Sequence, residues 1–172
     1  MIAVVAVDEN WGIGRDGELL FSIPEDIKFF RELTENKVVV MGRGTFMSLP
    51  GSNPLESRVN IVFSRNSGFM PESVIVCRSV EEFLTAAGRY DPDDVIVIGG
   101  QEIYDQLLGY CSAVYVTKIK KRADADRHFP NIDLSHNWKI DYKSGEKIYN
   151  GFKYIFYKYI NTAVNLNRQA AR

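Results

Sequence analysis

Short apolar runs that end in glycine and then open an amphipathic segment constrain this chain more than any other feature. Val38-Val39-Val40-Met41 runs into Gly42-Arg43-Gly44-Thr45, and Val95-Ile96-Val97-Ile98 runs into Gly99-Gly100-Gln101-Glu102. Continuous β-branched runs of this length mark strands covered on both faces. Further strands are expected at 2–7, 59–63, 74–76 and 113–119, and helices at 24–35, 45–49, 80–88 and 101–108. The alternation predicts an α/β fold: a doubly wound, mostly parallel central sheet with helices on both faces. Residues 138–147 and 152–159 predict a C-terminal antiparallel hairpin turning at Asn150-Gly151.

The 172 residues and 45% hydrophobic content suit one domain. It is expected to span 1–160, with a frayed polar tail over 161–172. A net charge of −1 argues against a nucleic-acid partner held by bulk electrostatics. No apolar run reaches membrane length, and the N-terminus carries no signal-peptide pattern. Cys77 and Cys111 stand far apart and read as reduced thiols of a cytoplasmic protein. His128 and His136 lack ligand spacing, so no metal site is expected.

The segment at 24–35 carries the sharpest chemical signal. Ser22 and Glu25 match a capping box, and Pro24 suits the first turn. Glu25, Lys28, Glu32 and Glu35 share a face that should be wet. Asp26 shares the opposite stripe with Phe29, Phe30 and Leu33. An acid in the first turn also suits the helix dipole. A carboxylate among phenylalanines needs a hydrogen-bond donor, which a ligand can supply.

Strand ends supply the second signal. In such folds ligands bind beyond the C-terminal ends of strands. The glycine turns after 38–41 and 95–98 offer free N–H groups to an anion. Ser64-Arg65-Asn66 follows the strand at 59–63. Each junction alone is also a tight turn, and each arginine a surface charge. Together, two glycine turns suit a pyrophosphate, and Arg43 and Arg65 suit a further isolated phosphate. No GxGxxG follows the first strand, so NADP fits better than NAD.

Read in order, these residues resemble the dihydrofolate reductase family. The matching pieces are Ala6, Trp11-Gly12-Ile13-Gly14-Arg15-Asp16-Gly17, Ile23-Pro24-Glu25-Asp26-Ile27-Lys28-Phe29-Phe30 and Val40-Met41-Gly42-Arg43-Gly44-Thr45-Phe46. They continue with Arg58-Val59-Asn60-Ile61-Val62-Phe63-Ser64-Arg65, Val97-Ile98-Gly99-Gly100-Gln101-Glu102-Ile103-Tyr104, Tyr115-Val116-Thr117-Lys118-Ile119 and Asp126-Arg127-His128-Phe129-Pro130.

The resemblance implies a bacterial-type enzyme that reduces 7,8-dihydrofolate with NADPH and is open to antifolate inhibitors. It implies Asp26 as the catalytic carboxylate, bidentate to the pterin, with Thr117 supporting it. Val4, Ala6, Leu19, Phe30, Leu49, Leu55 and Ile98 would wall the substrate, and Arg58 would hold its α-carboxylate. Ala6 and Ile13 would offer backbone groups to the nicotinamide carboxamide, and Gly14, Leu19 and Ile98 would also bind the cofactor. Gly99, Gly100, Gln101, Glu102, Ile103 and Tyr104 would cradle the pyrophosphate, with a cis Gly99–Gly100 peptide. Arg43, Gly44, Thr45, Ser64 and Arg65 would hold the adenosine and its 2′-phosphate, with Arg78 near the adenine. A water admitted by a mobile loop over 8–22 would protonate N5. The protein is expected to be a monomer.

This chain departs from the family at three places. Leu20-Phe21 replaces a frequent Pro-Trp, Ser57 stands where a glycine is frequent, and Arg127 replaces a small hydroxyl residue. Two other readings stand beside the first. One is a pyrimidine reductase of riboflavin synthesis, which usually lacks the acid at position 26. The other is a non-catalytic folate- or nucleotide-binding protein.

Overall fold

A computed structural model describes residues 1–164. A nine-stranded sheet forms its centre. The strands are β1 (Ile2–Val7), β4 (Val38–Gly42), β5 (Val59–Phe63), β6 (Val74–Cys77), β7 (Val95–Gly99), β8 (Ala113–Ile119), β10 (Trp138–Lys143), β11 (Lys147–Tyr149) and β12 (Phe152–Asn161). Their order is β10-β12-β8-β1-β7-β4-β5-β6, with β11 also on β12. Pairings from β8 through β6 are parallel, and those to β12 antiparallel. The predicted doubly wound, mostly parallel architecture is present.

Side-chain alternation assigns the two faces. Ala3, Val5, Val7, Val38, Val40, Val97, Val114 and Val116 join one large apolar cluster. Phe83 and Ala87 of α3 (Val80–Ala87) and Ile103 and Leu107 of α4 (Gln101–Leu107) cover that face. The other face holds two separate clusters. Val39, Met41, Val62 and Phe46 form one under α2 (Arg43–Ser48). Ile23, Ile119 and Tyr154 form the second, beside α1 (Pro24–Thr34). Ala6 and Ile98 are only partly covered and pack against different clusters. The candidate cleft lies between these two clusters, at Ala6 and Ile98.

Several expectations change. Ser22 does not cap α1: its N-cap is Ile23, without a side-chain bond, and Pro24 takes the first turn. At the start of α3, Ser79 and Glu82 have the spacing of a capping box, which is half realised. Glu82 N–H donates to Ser79 Oγ at 3.2 Å, but the Glu82 carboxylate accepts from Arg78 N–H instead. The strand expected at 138–147 breaks near Ser144, because the register against β12 shifts along the way. The turn at Asn150-Gly151 stands where expected, with Asn150 at φ 46° and Gly151 at φ 78°.

A small second sheet was not foreseen. It joins β2 (Gly12–Arg15), β3 (Glu18–Leu19) and β9 (Arg127–His128) in the order β3-β2-β9. Two of its strands, β2 and β3, come from the segment expected to be loop at 8–22. Asn161, assigned to the tail, instead ends β12 and is buried. The remainder of the tail reading falls mostly on 165–172, outside the described residues.

Candidate active site

The cleft is built from the first turn of α1 outward. Glu25, Lys28, Glu32 and Glu35 are exposed, while Asp26, Phe29, Phe30 and Leu33 are partly covered. Phe29 packs on Tyr115 of β8 and Phe156 of β12, at ring-centroid distances of 5.4 and 5.7 Å. That contact turns Asp26 toward β8. There the Thr117 hydroxyl donates to Asp26 Oδ1 at 2.5 Å. Burial pushes the Asp26 carboxyl above its ordinary range, and the Thr117 bond opposes that shift.

Glu25 anchors the same turn from outside. It accepts from Tyr154 OH and from Lys147 Nζ, both at 2.6 Å. Lys147 and Tyr154 hold the Glu25 carboxyl below its ordinary range. Proximity alone would not reveal this tie, since both partners lie more than a hundred residues away in sequence.

Beside Asp26, Ala6 pairs in register with Thr117. Val4 lies two residues back on β1, its carbonyl accepting from Tyr104 OH at 2.7 Å. Ile98, Leu49 and Leu55 flank the cluster under α2. Leu55 is fixed by the buried Asn60, whose amide exchanges bonds with the Leu55 N–H and carbonyl at 3.0 and 2.9 Å. Leu19 does not join these walls: its side chain is 76% exposed.

At the far end of α1, Arg58 donates from Nε to Thr34 Oγ1, from Nη1 to the Glu56 carbonyl and from Nη2 to the Arg31 carbonyl. A guanidinium has five N–H donors, so one on each terminal nitrogen stays open to a carboxylate.

The two glycine turns converge. A Cβ on Gly100 would lie 3.2 Å from Thr45 Oγ1, and one on Gly42 would lie 3.1 Å from Ile103. Gly99 has φ 124°, and its Cβ would lie 3.3 Å from the Tyr104 ring. A side chain at 42, 99 or 100 would crowd Ile103, Tyr104 or Thr45, so the close approach of the two turns requires glycine at these positions. The Gly99–Gly100 peptide is cis. Gly44 and Glu102 are exposed. Arg43 and Arg65 are exposed and carry no side-chain hydrogen bond or ion pair among the described residues. The Ser64 hydroxyl accepts from Asn66 N–H at 3.3 Å.

Some expected cofactor residues are engaged elsewhere. Gln101 Oε1 accepts from His128 N–H at 2.8 Å. The Tyr104 ring is buried against Phe129 at 4.7 Å. Arg78 turns its guanidinium into the loop after β5 rather than toward the cleft. Ile13 and Gly14 lie on β2, which β9 holds by register pairing. Asp8, read only as part of a loop, is buried. It accepts from the N–H groups of Asn10, Gly12 and Ala123, fixing the entry to β2. Phe21 packs on Phe152 at 5.4 Å and offers no polar group.

Cys77 and Cys111 are unpaired and buried. Among the described residues no helix is long and apolar enough to cross a membrane, and no acid, histidine or cysteine cluster could hold a metal.

Known proteins are similar to this chain in sequence and in fold. The family model for dihydrofolate reductase matches residues 1–161. Dihydrofolate reductase of Bacillus subtilis is 35% identical over 137 residues, 80% of this chain and 79% of that one. The Schistosoma mansoni enzyme is 37% identical over 157 residues, with 80% and 82% covered. The Glycine max bifunctional dihydrofolate reductase-thymidylate synthase is 35% identical over 176 residues; the match covers 91% of this chain but 33% of that protein. The chain thus spans about a third of the length of such bifunctional relatives. Among solved structures, dihydrofolate reductase from Enterococcus faecalis complexed with NADP(H) and RAB-propyl superposes with a TM-score of 0.82 at 34% identity. It covers 93% of this chain and 95% of that one. With the family's model matching residues 1–161 and two dihydrofolate reductases matched over most of their length, this chain belongs to the dihydrofolate reductase family.

Proposed function

We propose that the protein reduces 7,8-dihydrofolate to 5,6,7,8-tetrahydrofolate with NADPH. One observation carries the reading: a partly covered carboxylate, Asp26, is bound by Thr117 at one end of a cleft. Its other end is two converging glycine turns beside unpaired arginines.

When bound, NADPH supplies a hydride. The chain's residues supply position and charge. Asp26 Oδ1 is engaged by Thr117, so the remaining lone pairs of the carboxylate accept the paired N–H groups of the pterin. This fixes which ring carbon faces the nicotinamide, a gain in orientation. Val4, Ala6, Phe30, Leu49, Leu55 and Ile98 exclude water around the rings. The two open N–H groups of Arg58 take the substrate's α-carboxylate. Gly99 through Ile103 and Gly44-Thr45 approach the pyrophosphate, while Ser64, Arg43 and Arg65 take the adenosine 2′-phosphate. The hairpin β2–β3 closes over the nicotinamide, bringing Leu19 out of solvent. An antifolate that presents the same paired N–H groups competes for Asp26.

The protein works as a cytoplasmic monomer. Two buried, unpaired thiols support the compartment part of this reading.

The test is the loss of NADPH absorbance on adding dihydrofolate, and its suppression by an antifolate. A protein that binds folate yet consumes no NADPH would be a binding protein. One that oxidises NADPH only with an aminouracil nucleotide would be a pyrimidine reductase.

A further inference from the structure

Arg78 stands in the turn between β6 and α3, where its backbone N–H donates to Glu82 Oε2 at 2.7 Å. Its Nη1 donates to the carbonyls of Ser64 and Asn66, each at 2.6 Å. Its Nη2 reaches the carbonyls of Ser67 and Phe69, each at 3.4 Å. The loop is closed further by Asn66, whose Oδ1 accepts from Gly68 N–H and whose carbonyl accepts from Phe69 N–H. One guanidinium thus gathers the carbonyls on either side of Arg65 and turns them inward. Arg65, between the two most tightly held carbonyls, is left exposed with no partner of its own among the described residues.

We propose that Arg78 is a positioning residue for cofactor choice, holding the 64–69 loop so that Arg65 stands ready for the 2′-phosphate. This rests on the NADPH reading above. The physical argument is pre-organisation. A flexible loop must be ordered when Arg65 grips a phosphate, and that ordering subtracts from affinity. Arg78 has already ordered it. Its terminal N–H groups are spent on the four carbonyls, so it acts through Arg65 rather than by a fork onto the ligand.

The distinction is measurable because NADH lacks the 2′-phosphate. A residue that contacts adenine affects both dinucleotides alike. One that works through Arg65 affects NADPH alone.

The experiment measures dissociation constants of NADPH and NADH by calorimetry on the full chain, for the native protein, R65A, R78A, R78K and R65A/R78A. Amide exchange over 65–69 is followed in the ligand-free proteins. R78A is expected to cut the NADPH-over-NADH preference about tenfold and to speed exchange in the loop. R78K, which keeps the charge but cannot fork across the carbonyls, should recover part of the preference. In the R65A background, adding R78A should change the preference less than about twofold. Equal weakening of both dinucleotides by R78A would overturn the proposal, as would fully additive effects of R65A and R78A. R78K reports on the same site if R78A folds poorly. A native chain that binds both dinucleotides equally would defeat the NADPH reading itself, before any variant is compared.

Discussion

The Thr117 hydroxyl lies 2.5 Å from Asp26 Oδ1 and is the only side-chain donor to that carboxylate among the described residues. The two residues come from elements far apart in the chain, α1 and β8. Burial disfavours the charge on Asp26, and this single bond favours it. The balance at the site therefore depends on Thr117.

Replacing Thr117 by valine keeps the shape and removes the donor. The Asp26 carboxyl should then titrate higher still, because only the burial effect remains. The low-pH limb of the kcat/KM profile should move upward with it. Losing a hydrogen bond to a charged group should cost about tenfold in kcat/KM for dihydrofolate near neutral pH. T117S keeps the hydroxyl and should stay close to native. An unchanged profile in T117V would mean that water, not Thr117, balances Asp26.

Asp26→Asn tests the carboxylate directly. Turnover at neutral pH should fall by roughly a hundredfold or more, with recovery at low pH where the substrate is already protonated. Stability should move the other way. Asp26 titrates above its ordinary value in the fold, so its contribution to stability is fully present below the ordinary carboxyl value. It is lost as pH rises through the raised value. The variant has no charge to bury, so at pH 7 the ligand-free variant should melt above the native protein. The gap should close in acid. Thermal melts from pH 3 to 8 check the sign.

The sheet and the acidic stripe were legible because each is a local pattern. Val38–Gly42 and Val95–Gly99 announce themselves as apolar runs, and Asp26 as an acid spaced like Phe29, Phe30 and Leu33. The small sheet was not legible. Gly12–Arg15 is short, glycine-rich and half wet, and it becomes a strand only because Arg127–His128 pairs with it from far along the chain. Asp8 and Asn60 read as ordinary loop or strand residues, yet each is buried and satisfied by backbone groups. The Ser22 cap failed because the pattern ignores backbone geometry: helix α1 starts one residue later, at Ile23-Pro24. Arg78 was placed near the adenine on resemblance, while its four carbonyl partners follow from a loop path that no local pattern encodes.

Ser57, where relatives often carry glycine, has φ 57° and precedes Arg58. Its carbonyl accepts from Asn36 N–H at 2.8 Å, which holds the conformation in place. Glycine adopts this region freely, while a β-branched residue is strained there. Ser57→Gly should keep or slightly raise stability. Ser57→Val should lose about 1–2 kcal/mol in urea denaturation and raise the KM for dihydrofolate through Arg58. Equal stability of the two variants would show that the turn relaxes without cost.

Gln101 links the glycine turn after β7 to the small sheet. Its side-chain oxygen accepts from the His128 N–H at 2.8 Å, and β9 in turn pairs with Gly12 and Gly14 of β2. Phe129 N–H donates to the Trp11 carbonyl at 2.8 Å and completes the seam. Removing one neutral bond costs about 0.5–1.5 kcal/mol, or up to roughly tenfold in local opening. In Gln101→Ala the His128 amide should therefore exchange up to about tenfold faster, with smaller gains along β2. Gln101→Glu keeps an acceptor oxygen and should leave His128 protected. The two variants separate the bond from the side chain's bulk: equal exchange at His128 in native protein and Gln101→Ala would mean that β9 is held by its strand pairing alone.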